Sequence, residues 1–180
     1  MVGGGCIVST VLTVALTTGG LVTRADERTI ENNRNLVRGW LLERNYSLED
    51  KREAGQAWAI HATEHESAYT FAVSQQVGRP EFIAPAIRFV PHELQREIDA
   101  LPAPERGDLI WNLKMRLLDF DVGFRLSEPF SSITFIDVIY TEELRRGTFF
   151  RRARLLQRAF MAAQWIIQRK FEVSATDAVN

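Results

Sequence analysis

Sulfur is scarce in this chain and so is any surplus of charge, and each scarcity removes a class of protein. A single cysteine, Cys6, excludes an internal disulfide and any zinc or iron–sulfur site built from several thiolates. The 22 basic and 23 acidic residues leave a net charge of −1. That excludes a globally basic nucleic-acid binder and a polyanionic tail, but not a local patch. No glycine-rich loop followed by lysine opens a helix, and neither Ser9 nor Ser131-Ser132 stands in a nucleophile elbow. What remains, 46% hydrophobic and 25% charged over 180 residues, is the mix of one folded domain, not of a disordered or disulfide-stapled chain.

Residues 1–23 lack charge entirely, and Arg24 is the first ionised side chain. The run is long enough to suggest a membrane span, which needs about 20 apolar residues. Five glycines and five threonines interrupt it, and no Lys or Arg precedes it as in a secretory signal. Three readings stand: a disordered extension or misplaced start, a signal or anchor, and an integral element. The folded body is expected over 24–172, with a frayed tail over 173–180.

Periodicity lays out that body. Arg24 to Arg44 reads as a helix capped by Asp26 or Thr29, burying Ile30, Val37, Trp40 and Leu41 and ending at a left-handed Asn45. Leu48–Gly55 reads as a charged connector. Gln56–Ala62, Ala68–Gln75 and Phe82–Val90 alternate as strands, with a turn at Glu64–Ser67. Pro85 cannot donate to a ladder, which points to an edge or a bulge. Pro91-His92-Glu93 opens a short helix, and Glu105–Asp119 forms a stronger one. In the latter Ile110, Leu113, Leu117 and Phe120 share one face, flanked by Trp111, Met115 and Leu118. Val122–Leu126 and Ile133–Tyr140 are two more strands. A last helix, with Thr148 as N-cap, repeats Phe149, Ala153, Leu156, Phe160, Ala163, Ile167 and Phe171, a band wide enough to bury against two surfaces. The fold class is α+β, with a largely antiparallel five-stranded sheet in the order α-β-β-β-α(α)-β-β-α.

His61, Glu64 and His65 spell the letters of an inverted zinc-protease motif. That chemistry needs both imidazoles one helical turn apart, whereas here the letters span a strand end and a turn. The other reading is a polar turn with two surface histidines. Arg145, Arg146, Arg151, Arg152, Arg154 and Arg158 form a basic stripe, uninterrupted by acid from Leu144 to Phe171. It suits phosphates or a structural role in pairing with acids from elsewhere. The pairs Glu142-Glu143 and Asp119/Asp121 do not face each other across a cleft as a glycosidase requires. Trp40, Trp58 and Trp111 read as core anchors. Trp165 falls beside Arg158 and Arg169, toward the polar side of its helix, and reads as a contact residue.

Trp40-Leu41-Leu42-Glu43, Tyr46-Ser47-Leu48, the Phe89-Val90-Pro91-His92-Glu93-Leu94 junction and the helix through Leu113, Leu117 and Leu118 into Phe124 resemble the DUF2299 family over about residues 28–172. The resemblance extends to the type III secretion chaperone and YbjN-like fold. It implies a small α+β domain, often a homodimer, that holds a protein segment rather than catalysing a reaction. No catalytic residue, cofactor or metal ligand is carried over with it. The expectation is therefore a cytoplasmic protein-binding module with Phe149, Phe150, Arg151, Arg154, Arg158 and Trp165 as contact residues. Polyanion or nucleic-acid binding through Arg145–Arg158, and metal-dependent hydrolysis at His61, Glu64 and His65, are the alternatives.

Overall fold

A computed structural model of the chain describes residues 24–65 and 69–177. The readings on residues 1–23, including Cys6 and Ser9, and on the tip of the turn at 66–68 lie outside them.

The apolar spacing of the first segment winds into α1 (Arg24–Glu43), whose Ile30, Val37 and Leu41 are buried as their periodicity requires. Asp26 and Thr29 fall inside this helix, not at its cap. Asn45, at φ 61°, ends it in the left-handed region, where a short amide side chain is tolerated. The chain then enters a sheet of β1 (Tyr46–Asp50), β2 (Gln56–Glu64), β3 (Thr70–Gln76), β4 (Phe82–Phe89), β5 (Gly123–Leu126), β6 (Ile133–Ile136) and β7 (Ile139–Tyr140). The spatial order is β1-β2-β3-β4-β6-β5, with β7 also on β4, and every pairing is antiparallel. Between β4 and β5 lie α2 (Gln95–Ala100) and α3 (Ala103–Leu117). A 3-10 turn, Thr141–Glu143, leads into α4 (Arg146–Asp177).

The class is the α+β expected, but the sheet has seven strands instead of five. The connector starting at Leu48 is partly β1, which pairs through its backbone while its side chains stay largely exposed, so no hydrophobic alternation announces it. The strand expected over Ile133–Tyr140 breaks at Asp137-Val138 into β6 and β7. Pro85 explains the break. It lies in an interior strand, not at an edge, and its carbonyl accepts from the Asp137 N–H at 3.0 Å. Its missing donor therefore faces the gap between β6 and β7, where no ladder bond is lost. Helix α4 begins at Arg146, ahead of Thr148, and with no Gly or Pro after Gly147 it continues through 173–177, where a frayed tail was expected.

One sheet face carries the large side chains. Ile60, Val73 and Ile87 lie on it with Phe71, Phe89 and Phe135, and α1 and α4 pack over them. The other face is built of small side chains such as Ala57, Ala59, Ala72, Ser74, Ala84 and Ala86. A buried polar cluster pins α1 to the sheet. Trp58 Nε1 donates to the Ile30 carbonyl at 3.1 Å and to Gln75 Oε1 at 3.2 Å, and Asn33 Nδ2 donates to Gln75 Oε1 at 3.3 Å.

Phe149 is where α1, α4 and the sheet meet. It is fully buried, with ring centroids 6.0 Å from Trp40, 6.3 Å from Phe71 and 5.1 Å from Phe150. Farther along α4, Phe160 meets Phe89 edge-on at 5.3 Å and Tyr69 at 6.0 Å. Truncating Phe149 to Ala opens a cavity at the junction of three elements and is expected to cost about 3–5 kcal/mol of unfolding free energy, read from urea denaturation. A loss below about 1 kcal/mol would show that the junction is not a tightly packed core.

Candidate functional site

The arginines of α4 divide by helical angle. Arg152 turns toward α3 and bonds Asp121 Oδ2 at 2.9 Å, with Asp137 at 3.5 Å. Arg145 lies before the helix and donates to the Glu142 and Leu144 carbonyls. Arg146 pairs with Glu43 at 2.7 Å. Arg151, Arg154 and Arg158, spaced by three and four residues, form one exposed row and make no ion pair among the described residues. Of six arginines, one pairs with acids of the turn after α3 and the loop after β6, one serves backbone carbonyls and one ties α4 to α1. Three are left facing solvent.

This row lines one side of a groove of about 490 Å³ formed with Arg44, Arg146, Gly147, Phe150 and Leu155. Arg44 comes from the far end of α1. The Asn45 cap turns the chain just after it, and its guanidinium sits 4.2 Å from the Phe150 ring centroid, a cation–π contact. Five guanidinium groups thus converge at the meeting of α1 and α4. No carboxylate lines the groove among the described residues; Glu43 pairs with Arg146 at its edge, and Glu64 bonds the Tyr46 hydroxyl. Burial, and then Glu64, push the Tyr46 phenol above its ordinary value, while Arg44 and Arg154 pull it down, which places both arginines within electrostatic reach of β1.

The contact residues expected from sequence separate accordingly. Arg151, Arg154 and Arg158 lie together in the groove. Phe149 cannot touch a partner, because it is 0% exposed and belongs to the core. Phe150 is the groove's apolar floor, under Arg44. Trp165 is 62% exposed and stands beyond the groove on the same outer stripe of α4, with Met161 between it and Arg158. Trp111, read as a core anchor, is 65% exposed, because α3 buries Leu109, Leu113 and Leu117 and turns Trp111 outward. Sequence gave no sign of Arg44, since only the packing of α1 on α4 brings it to a row a hundred residues away.

The histidine motif does not assemble. His61 lies within β2 and His65 in the turn that follows it, and Glu64 alternates to the sheet face opposite His61. His65 Nε2 lies 3.1 Å from Ser47 Oγ. Among the described residues no three His, Cys, Asp or Glu side chains gather as a metal site would require. His61 is instead buried in β2, with Nδ1 lacking a hydrogen-bond partner among the described residues. Desolvation, then Lys51, hold its imidazole below the ordinary value, against the opposing pull of Glu49 and Glu53.

That depression has a defined sign. The unfolded chain protonates His61 near pH 6.5, and the folded chain only at lower pH. Below about pH 6.5 the unfolded state holds more protons, so stability falls as pH falls. Urea midpoints measured from pH 7.5 to 5.5 are expected to drop more steeply in the native chain than in His61→Gln. Parallel slopes would contradict a neutral, buried imidazole.

No helix among the described residues is long and apolar enough to cross a membrane. No curated protein matches the chain. A solved structure of an uncharacterized protein from Methanothermobacter thermautotrophicus superposes with a TM-score of 0.71 at 22% identity, covering 77% of this chain and 99% of the other. At that identity the likeness speaks for the fold. The family model described as uncharacterized conserved protein (DUF2299) matches residues 33–167, which takes in the sheet, both sides of the arginine groove and all but the C-terminal turns of α4, and the chain belongs to that family.

Proposed function

We propose that this chain is a non-enzymatic, cytoplasmic binding module that holds an acidic, amphipathic segment of a partner protein along the outer stripe of α4. The observation that carries this reading is the order of side chains on that stripe. Arg151, Arg154 and Arg158 are followed by Met161 and Trp165 at alternating steps of three and four, so over this span one face of the helix passes from cationic to apolar before Arg169. From Arg151 to Trp165 the stripe runs about 21 Å. A partner helix of similar length, with carboxylates on one half and apolar side chains on the other, complements it along its whole span. Trp and Arg are the side chains that most often dominate such contacts. The resemblance to secretion-chaperone folds, whose members hold protein segments, agrees with this reading.

Five guanidinium groups also suit phosphates, but two features favour protein. Met161 and Trp165 interrupt the positive row ahead of Arg169, so apolar side chains share the stripe with the cations. The aromatic ring in the groove, Phe150, is covered by Arg44 and offers no open platform for stacking a base.

The test is fluorescence anisotropy with three labelled probes: a helix-forming peptide with Glu in its first half and Leu in its second, the same peptide with Lys in place of Glu, and a 20-nucleotide single-stranded RNA. The Glu/Leu peptide is expected to bind, with affinity falling as salt rises. Arg151→Glu/Arg154→Glu/Arg158→Glu is expected to weaken it at least about tenfold and flatten the salt dependence. Trp165→Ala is expected to weaken it by a similar factor with the salt dependence intact. Tighter binding of RNA that ignores Trp165 would replace this reading with the polyanion one, and failure of all three probes would remove both.

A further inference from the structure

Helix α3 runs antiparallel beside α4, tied by Lys170 to Glu105 at 3.0 Å near one end and by Arg152 to Asp121 at 2.9 Å near the other. Its buried side, Leu109, Leu113 and Leu117, is fully used. Its opposite side carries Trp111, Met115 and Leu118 at 65%, 47% and 66% exposure, one straight stripe at steps of four and three. Together they expose roughly 400 Å² of apolar surface, a patch of the size that marks a contact on soluble proteins. This surface is separate from the arginine groove, which lies where α4 meets α1.

The order of residues about Trp111 is complementary to itself when reversed. Three residues before it stands Asp108 and three after it Lys114. Both are exposed and neither has an ion pair among the described residues. Four before it stands Gly107 and four after it Met115. A side chain at Gly107 would meet nothing within 4 Å in its own chain, so nothing in the fold requires a helix-weakening glycine there. Seven before and seven after stand Pro104 and Leu118, both exposed.

We infer that the outer face of α3 is the seam of a two-fold homodimer, in which α3 packs antiparallel on α3 of a second copy with the two Trp111 side chains at the axis. In that one register Asp108 faces the second copy's Lys114, Met115 lies over the second copy's Gly107, and Leu118 covers the second copy's Pro104, each contact made twice. The glycine supplies the hollow that the methionine fills, and the antiparallel helices oppose their dipoles favourably. A second copy is the occupant because a single register satisfies the charges, the hollow and the apolar pair at once. The seam goes beyond the partner-segment reading and does not depend on it.

Sedimentation equilibrium of the full chain tests the seam, with circular dichroism confirming that each variant folds. The native chain is expected to be a dimer. Trp111→Ala should raise its dissociation constant at least about tenfold, as loss of a central aromatic does. Asp108→Lys and Lys114→Asp should each weaken the dimer by setting like charges together, and the double exchange should restore it to within about threefold of the native value. A monomer, a dimer indifferent to Trp111→Ala, or a double variant no better than either single one would overturn the inference. The outcome leaves the peptide-binding test untouched, so the two readings fail separately.

Discussion

The burial of Phe149 is the constraint from which the arrangement of the surface follows. Its ring is enclosed by Trp40 of α1, Phe71 of β3 and the adjacent Phe150. Once it is placed, the rotation of α4 about its axis is fixed, because every other position on the helix follows at about 100° per residue. Ala153, Leu156 and Ala163 then face inward, Arg152 faces α3, and Arg151, Arg154, Arg158, Met161 and Trp165 face solvent. The same contact sets α1 against α4, and that brings Arg44 over Phe150. One apolar contact thus decides which of many arginines bind inside the protein and which remain open.

The electrostatics follow from that sorting and not from composition. A chain of net charge −1 holds five guanidinium groups in one groove, and of these only Arg146 has an acid partner, Glu43, among the described residues. Asp121 and Asp137 engage Arg152, and Asp50 engages Arg34 and Arg38. The exposed pairs among them, Asp50 with Arg34 and Arg38, contribute little stability, about 0–1 kcal/mol each. The consequence of all these pairs is local: they leave the outer stripe of α4 uncompensated. A concentrated positive patch on a neutral protein speeds encounter with an acidic partner without making the whole molecule sticky to polyanions.

Much of the fold was legible in the sequence where a segment has one buried face. Ile30, Val37 and Leu41 mark α1, Asn45 marks its end, and the long apolar band marks α4. The reading failed where burial does not shape the pattern. Strand β1 is held by backbone bonds at a sheet edge and shows only Tyr-Ser-Leu-Glu-Asp. Pro85 sits in an interior strand because the ladder breaks opposite it, a circumstance set by residues fifty positions away. In α3 two apolar stripes compete, and spacing alone cannot say that Leu109, Leu113 and Leu117 go inward while Trp111, Met115 and Leu118 stay out. The arginine row was visible as a run of letters. Its division into paired and open members was not, because Asp121, Asp137 and Glu43 reach it only through tertiary packing. The letters of a metal motif at His61, Glu64 and His65 form no site because alternation along β2 sends Glu64 to the face opposite His61, and the surface position expected of His61 is overturned by its burial in the same strand.

The central claim, that the outer stripe of α4 is a docking surface read from cation to apolar anchor, is tested most directly by site-specific photo-crosslinking in the native cell. A photoreactive side chain is placed at Arg154, at Trp165 and, as a control, at exposed Glu128, and the cross-linked residues are sequenced. The account predicts that Arg154 and Trp165 capture one and the same protein segment, acid-rich where it meets position 154 and apolar where it meets position 165, with Glu128 capturing none of it. Nucleic acid joined at position 154, or unrelated segments joined equally at all three positions, would contradict it.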